Sequence, residues 1–468
     1  MFSASLVFDA RRAALCGMLL AAVSLTACGG SSGSSTTLPP PPPPPKNLPQ
    51  HIIVVVQENR TVDNLMQGYP GADTVNSGVD STGKTHALAP VSLVNGFDPD
   101  HTHKTGFVNE FNGGAQNGWD KEGFGCSKTG CPANTTAFAY VPKQEVLPYW
   151  QLAQQFVFAD HVMQTNQGPS YEAHEYLIGA TSGPRSPYVQ AENPTEPDPK
   201  GGCDSKPGTT VALINLTTPF PGDESQNQFP CTDFTTIFDL LDAKHVSWKY
   251  YTPEVHNLWD APNMVKHLSG SAEFKTNVVT PETQILTDIQ QGKLAAVSYV
   301  VPAPSESDHA RLTTLAGPGW VGTIANAVGA SPYWKTTAIV VVWDDWGGWF
   351  DHYKSPLRPV FANDPYEYGF RVPMLLISPY AKAGLVDHTP RDFTAIVHFI
   401  EDVYGTGPLP TLPNEPASLE TLTDDLFSDF NFSASASAYR PVSTNNYPAS
   451  YYRNRNPHSE QRAIDSET

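Results

Sequence analysis

The chain has 468 residues, with 28 Lys and Arg against 47 Asp and Glu and a formal net charge of −19. This length holds one large domain or two to three ordinary ones. The acidic balance argues against a nucleic-acid partner, whose footprint is basic, and against a basic membrane-binding face.

Residues 1–28 read as a targeting segment rather than as fold. Arg11 and Arg12 precede an apolar run from Ala13 to Val23, too short for a comfortable membrane span. Leu25-Thr26-Ala27-Cys28 then resembles a bacterial lipobox, in which the cysteine is acylated and becomes the mature N-terminus. An ordinary secretory signal with an incidental cysteine is the alternative. Residues 29–49, a Gly/Ser stretch followed by polyproline, form a flexible-then-stiff tether. The expected location is exported, on an envelope membrane through an N-terminal lipid anchor. Gly29 after the cysteine, in place of Asp, makes the outer membrane the default in a Gram-negative host. Cys16 leaves with the signal, so Cys126, Cys131, Cys203 and Cys231 remain in the body. In an oxidising compartment they form two disulfides, and Cys126–Cys131 with Cys203–Cys231 is the preferred of three pairings. A zinc site is the rival, but the spacings are not CxxC and no local histidine supports it.

The folded body, residues 50–430, opens on "HIIVVVQ" (51–57), a continuous apolar run of the kind buried on both faces of a sheet. Similar runs recur at 295–301, 337–343 and 372–379. Between them, 232–245 has a Thr N-cap and helical apolar spacing. In 389–405, Thr389 caps, Pro390 takes the first helical position and Gly405 stops the helix. Strands alternating with helices predict an α/β fold, a mostly parallel central sheet flanked by helices. Residues 110–135 and 181–231, rich in Gly, Pro, Asn and Cys, read as loop-rich insertions over one face. Residues 431–468 read as a polar, loosely packed C-terminal tail.

Two strands end alike, one on Glu58-Asn59 and one on Asp344-Asp345. Adjacent carboxylates repel unless a metal, a substrate or open water tempers them. Ligands of open α/β sheets bind outside the carboxyl ends of strands, so the two groups can converge. Oxygen ligands suit a hard or borderline divalent metal ion of unspecified identity. Two strand ends that merely face solvent are the alternative.

The stretches "ENRTVDNLMQGYPG", "DPDH", "QGPSYEAHEYLIGAT", "SDH", "VVWDDWGGWFDHY" and "RVPMLLISPYAKAGLVDHTPRDFTAIVHFIEDVYG" occur in this order. Together they resemble the bacterial phosphoesterase family that contains phosphatidylcholine-hydrolysing phospholipases C and acid phosphatases. The resemblance spans roughly the whole folded body. It implies an alkaline-phosphatase-like three-layer sandwich. It also implies roles: Glu58, Asn59, Asp344 and Asp345 as metal ligands, Asn59 also toward a phosphate oxygen, and Ser170 as hydroxyl nucleophile. His309 and His101 fall on phosphate-contacting histidines, and His103 is a substitute for His101. The chain departs from the pattern at Val62-Asp63-Asn64, where an aromatic and a His are usual, and at Trp346, where many phospholipase members have His. A further phosphate-site His is expected between Ser170 and His309, with His245 and His256 as candidates. These departures bear on substrate preference more than on reaction class.

The implied activity is hydrolysis of a phosphate ester, either a small phosphomonoester or a phospholipid headgroup. No G-x-S-x-G elbow surrounds Ser170, so metal activation of the hydroxyl is the economical account. Ser170 attacks phosphorus, a phosphoseryl intermediate forms, and water resolves it while a His protonates the leaving oxygen. Read without the resemblance, Ser170 is a helix N-cap after Gly168-Pro169. Asp351-His352 is a supporting pair or a further ligand. Trp343, Trp346 and Trp349 pack the body, and His174, His388 and His398 look structural. Competing functions are a non-catalytic surface lipoprotein that binds metal or phosphorylated ligands, and a sulfatase-type hydrolase. The latter lacks its C/S-x-P-x-R context.

Overall fold

The computed structural model describes residues 47–125, 131–183, 188–215, 218, 220–356, 368–410 and 425–455. Residues 1–46, where the signal segment and most of the tether are expected, lie outside them, as do Cys126 and residues 456–468. Nine strands form the central sheet. They are β1 (His51–Gln57), β2 (Val157–Met163), β3 (Trp248–Tyr251), β4 (Val278–Val279), β5 (Val297–Val300), β6 (Thr337–Trp343), β7 (Arg371–Ile377), β8 (Val386–Asp387) and β9 (Arg391–Asp392). Their order is β4-β3-β5-β1-β6-β7-β2-β8, with β9 also on β2. Pairing is parallel throughout except at β7, which runs antiparallel to β6 and β2. The expected α/β class and mostly parallel sheet are therefore present. A parallel sheet is covered on both faces, which is why β1 and β6 are unbroken Ile/Val runs.

The helices sort into two groups. Leu147–Gln155 and Gln284–Gln291 pack on Ala316–Gly329, while Ser170–Gly179, Ile237–Ala243 and Thr394–Tyr404 pack on one another. The helix expected over 232–245 starts at Thr236, where a capping box with Asp239 satisfies the first turn. The helix expected from Thr389 starts at Thr394 instead, because Arg391–Asp392 pair with β2 as strand β9. Its stop at Gly405, with φ 61°, is as expected. β2 escaped the periodicity argument, since Asp160 and His161 interrupt its apolar run. Within the insertion, Tyr188–Gln190, Val211–Asn215 and Asp223–Gln228 make a small antiparallel sheet, and the Cys203–Cys231 disulfide forms as expected. Cys131 is also disulfide-bonded, and the expected partner Cys126 lies outside the described residues.

The loosely packed tail is corrected for residues 431–455. Val442 and Tyr452 are buried, and the Tyr452 hydroxyl donates to Ala316 O at 3.0 Å. Gly319, Gly322 and Gly329 form a small-residue face under this segment. A Cβ at these positions would stand 2.4 Å from Thr444 O, 2.6 Å from Ser443 O and 2.1 Å from the Tyr439 ring. Much of the contact runs through backbone carbonyls, so side-chain polarity gave no sign of it. Tyr452→Ala is expected to destabilise the fold by about 3–5 kcal/mol, read as a lowered denaturant midpoint.

Candidate active site

β1 and β6 pair level, with Gln57 opposite Trp343. The next residues, Glu58 and Asp344, therefore leave the sheet side by side. Backbone bonds lock this exit. Asp344 N donates to Gln57 O at 2.9 Å, Asn59 N to Asp344 Oδ1 at 3.1 Å, and Arg60 N to Asp345 O at 3.0 Å. Asn59 takes a left-handed φ of 62°, and Gly347 turns the opposing loop at φ 61°. A Cβ on Gly347 would stand 2.4 Å from Asn59 O, so only glycine lets the two strand ends approach.

Ser170 opens the helix Ser170–Gly179, but Pro169 holds the N-cap position and no side-chain cap bond is made. The Ser170 hydroxyl instead donates toward Asp345 Oδ2 at 3.2 Å and Glu58 Oε2 at 3.4 Å. The N-cap reading is thereby replaced. One helical turn later, His174 Nε2 lies 3.3 Å from Glu58 Oε1 and 3.7 Å from Asp344 Oδ2. Ser170, His174, Glu58, Asn59, Asp344 and Asp345 are all buried. The sequence alone reads His174 as structural, and the structure corrects that reading by bringing it to Glu58 and Asp344. The i, i+4 spacing from Ser170, which places both side chains on one helix face, was the signal that could have found it.

His101 donates Nδ1–H to Pro99 O at 2.8 Å, and its Nε2 faces Asn59 Nδ2 at 2.9 Å. His309 is held the same way, Nδ1 to Ala310 O at 2.7 Å, with its ring centroid 5.5 Å from that of His101. The structure thus groups His101 and His309. His103 goes elsewhere: its Nδ1 meets Glu224 at 2.5 Å and its Nε2 meets Gln167 at 3.1 Å. His245 is exposed on the turn after Ile237–Ala243, and His256 bonds Asp204 and Asp198 in the insertion. Asp351 is bound by Arg371, Nε to Oδ1 at 3.1 Å and Nη2 to Oδ2 at 3.1 Å. His352 donates Nδ1–H to Asp63 at 2.6 Å, so this pair braces the loop from behind. Trp343, Trp346 and Trp349 are buried packing, as expected.

Burial, then the adjacent Asp344 charge, raises the Asp345 carboxyl pKa well above the usual carboxylate range. Burial lowers His174 to about 4 against the pull of Asp344, so the imidazole is neutral near pH 7 and its approach to Glu58 is no ion pair. Burial also opposes charge on His101, but Asp345 and Asp98 outweigh it and raise its pKa. Asn59 Oδ1 and Asp344 Oδ2 are buried with no hydrogen-bond partner. Three buried carboxylates, a neutral imidazole and the Asn59 amide oxygen form a donor set that fits a divalent cation. Glu58, His174 and Asp344 by themselves place one ligating atom each within 4.8 Å of one another. A cavity of about 350 Å³ opens beside this centre, lined among others by Asp98, His101, Phe124, Pro169, Asn193 and Arg311.

Fold and site define an α/β class in which a helix-borne serine faces carboxylates at the strand ends. The chain belongs to the Phosphoesterase family, whose sequence profile it matches over residues 49–407. That is the family expected from the motifs, one of hydrolases acting on phosphoric esters. A non-hemolytic phospholipase C of Burkholderia pseudomallei (strain K96243) is 23% identical over 475 residues, covering 86% of this chain and 63% of that protein. The chain therefore spans less than two thirds of that relative. Phospholipase C A of Mycobacterium tuberculosis (strain ATCC 25618 / H37Rv) is 24% identical over 457 residues, 84% of this chain and 79% of that protein. Among solved structures, a protein in the alkaline phosphatase superfamily from Vibrio parahaemolyticus has a TM-score of 0.34 and 12% identity, covering 76% of this chain and 67% of that one.

Asp308, beside His309, gives a pH test of the buried surroundings. Its Oδ2 accepts from Tyr149 at 2.7 Å and Trp343 Nε1 at 3.0 Å, while burial, opposed by Arg60, pushes its pKa from 3.8 to about 6. A raised carboxyl pKa means the folded state holds the proton more tightly, so this contribution is full below 3.8 and is lost as pH rises through about 6. Wild type should lose about 2 kcal/mol of stability relative to Asp308→Asn between about pH 4 and pH 7. Urea unfolding at both pH values checks this, and parallel profiles for the two proteins would refute it.

Proposed function

We propose that the chain is an exported phosphoric-ester hydrolase with Ser170 as nucleophile and a divalent cation as cofactor. The observation that carries this reading is the buried Ser170 hydroxyl, 3.2 Å from Asp345 Oδ2 and 3.4 Å from Glu58 Oε2 at a helix start. Glu58, Asn59, Asp344 and Asp345, joined by His174, would hold the cation. When bound, such an ion acidifies a hydroxyl and polarises a phosphoryl oxygen.

The chain's own groups supply the remaining steps. Ser170 Oγ attacks phosphorus and passes its proton to the adjoining Asp345 carboxylate. The Oγ–P bond forms as the ester P–O bond breaks. The first-turn amides of Ser170–Gly179 favour the incoming anion. Because His309 is fixed through Nδ1, its Nε2 is the atom turned toward the departing oxygen, while His101 Nε2 meets Asn59 Nδ2 at 2.9 Å and holds that amide in place. His309 is thereby suited to deliver that proton. Water then hydrolyses the phosphoseryl group and restores the serine.

The cavity beside His101 and Pro169 suits the leaving group. The relatives' names support a phospholipase C-type reaction on a lipid phosphodiester. An acid-phosphatase-type monoesterase is the second reading, favoured by Trp346. It is buried with Nε1 donating to Glu110 at 2.5 Å, where many phospholipase members have a His. Leu25–Cys28 and the following tether support export and a lipid anchor.

Turnover of p-nitrophenyl phosphate and of p-nitrophenyl phosphorylcholine tests the proposal and separates the two substrate readings. Ser170→Ala and chelation should each lower turnover by about 10³-fold or more. His174→Ala should raise the cation concentration for half-maximal rate at least about tenfold. Full activity in Ser170→Ala would remove the serine from its role.

A further inference from the structure

A second group of ligating atoms lies where β8 and its following turn meet β2. Asp160 Oδ1, His161 Nε2 and His388 Nδ1 are within 4.8 Å of one another. Sheet pairing brings them together. Asp387 stands opposite Ala159, which sets His388 next to Asp160. His388 Nδ1 lies 2.7 Å and His161 Nε2 3.8 Å from Asp160 Oδ1. Asp73, from the loop after the helix Val62–Leu65, places Oδ2 3.1 Å from His161 Nε2. A tetrahedral zinc ion with bonds of about 2.0–2.2 Å sets its ligand atoms about 3.3 Å apart. The measured spacings of 2.7, 3.1 and 3.8 Å bracket that value.

The supporting bonds orient these atoms. His161 Nδ1 donates to His388 O at 2.9 Å, which turns Nε2 toward two carboxylates. Facing two anionic oxygens, Nε2 needs either a second proton or a cation. Asp73 N donates to Asp160 Oδ2 at 2.7 Å, so Oδ1 is the oxygen presented to the imidazoles. Backbone-fixed imidazoles and carboxylates of this kind are what orient ligands around a metal. Asp160 is buried, whereas the His388 and Asp73 side chains are 50% and 40% exposed, so an ion can enter from solution. Arg371 Nη1 is 3.9 Å from Asp73 Oδ2, a looser approach than its paired bonds to Asp351. The neighbouring Asp63-Asp351-His352 cluster needs no ion, since Arg371 already supplies its positive charge.

We propose that Asp160, His161 and His388, with Asp73 as the fourth ligand, bind a zinc-type divalent ion. The ion acts as a clasp tying β8 and the Asp73 loop to β2, the strand that leads into the Ser170 loop. The test uses the full chain, stripped by chelator and titrated with zinc by calorimetry, with cobalt as a spectroscopic probe. His174→Ala with Asp344→Asn serves as the background, which takes two ligands from the catalytic centre proposed above so that its ion is lost. That background should still take up one zinc and give the visible absorption of a histidine- and carboxylate-ligated cobalt. Adding His161→Ala with His388→Ala should abolish both. The single His388→Gln, at a half-exposed position that folding tolerates, should weaken zinc at least about tenfold. Unchanged zinc affinity in His388→Gln, or no zinc in the background carrying His174→Ala with Asp344→Asn, would overturn the proposal.

Discussion

The level ending of two parallel strands is the constraint on which the rest of the structure depends. Because Gln57 sits opposite Trp343, the chain leaves β1 and β6 at the same height and delivers Glu58 and Asp344 into one buried space. Asp345 follows and brings a third carboxylate. Like charges so confined are costly without a counter-charge. Both the turn at Gly347 and the left-handed Asn59 serve this meeting, since any bulk at Gly347 would collide with Asn59. The helix at Ser170 completes it by adding a hydroxyl and, one turn on, an imidazole.

Buried acids elsewhere in the protein are treated differently. Asp351 receives the Arg371 guanidinium through two well-formed bonds, and Asp429 receives Arg391 at 3.0 Å. Asp308 has Tyr149 and Trp343 on its carboxylate and Arg60 on its carbonyl. In those places arginine or neutral donors meet the carboxylate, although burial still raises the pKa of Asp351, Asp308 and Asp429. At Glu58 and Asp344 the close nitrogen belongs to His174, a group that burial keeps neutral.

Around the centre, the supports connect its parts to one another. Arg60 reaches the Asp308 carbonyl, while Trp343, the last residue of β6, reaches the Asp308 carboxylate. The segment carrying His309 is thereby tied to both strands that deliver Glu58 and Asp344. Trp346 binds Glu110 and holds the start of the glycine turn. Rigid support of this kind keeps reacting groups within the narrow tolerance that catalysis needs.

Much was legible in the sequence because it is local. Unbroken Ile/Val runs announce buried parallel strands, and the runs at 51–57 and 337–343 match β1 and β6 residue for residue. Acidic residues at strand ends mark a ligand edge, and ordered motifs identify the family. What the sequence could not decide is what depends on packing between distant segments. His174 becomes part of the site only because its helix docks against both strand ends. His103 is drawn instead to Glu224 and Gln167. The start of the last long helix is delayed because Arg391–Asp392 find an edge of β2 to pair with. Residues 431–455 pack because three glycines leave a face on the helix Ala316–Gly329 for them. Periodicity records which side of an element is buried, whereas the partner on that side is set by pairing register and steric fit, which exist only in the folded chain.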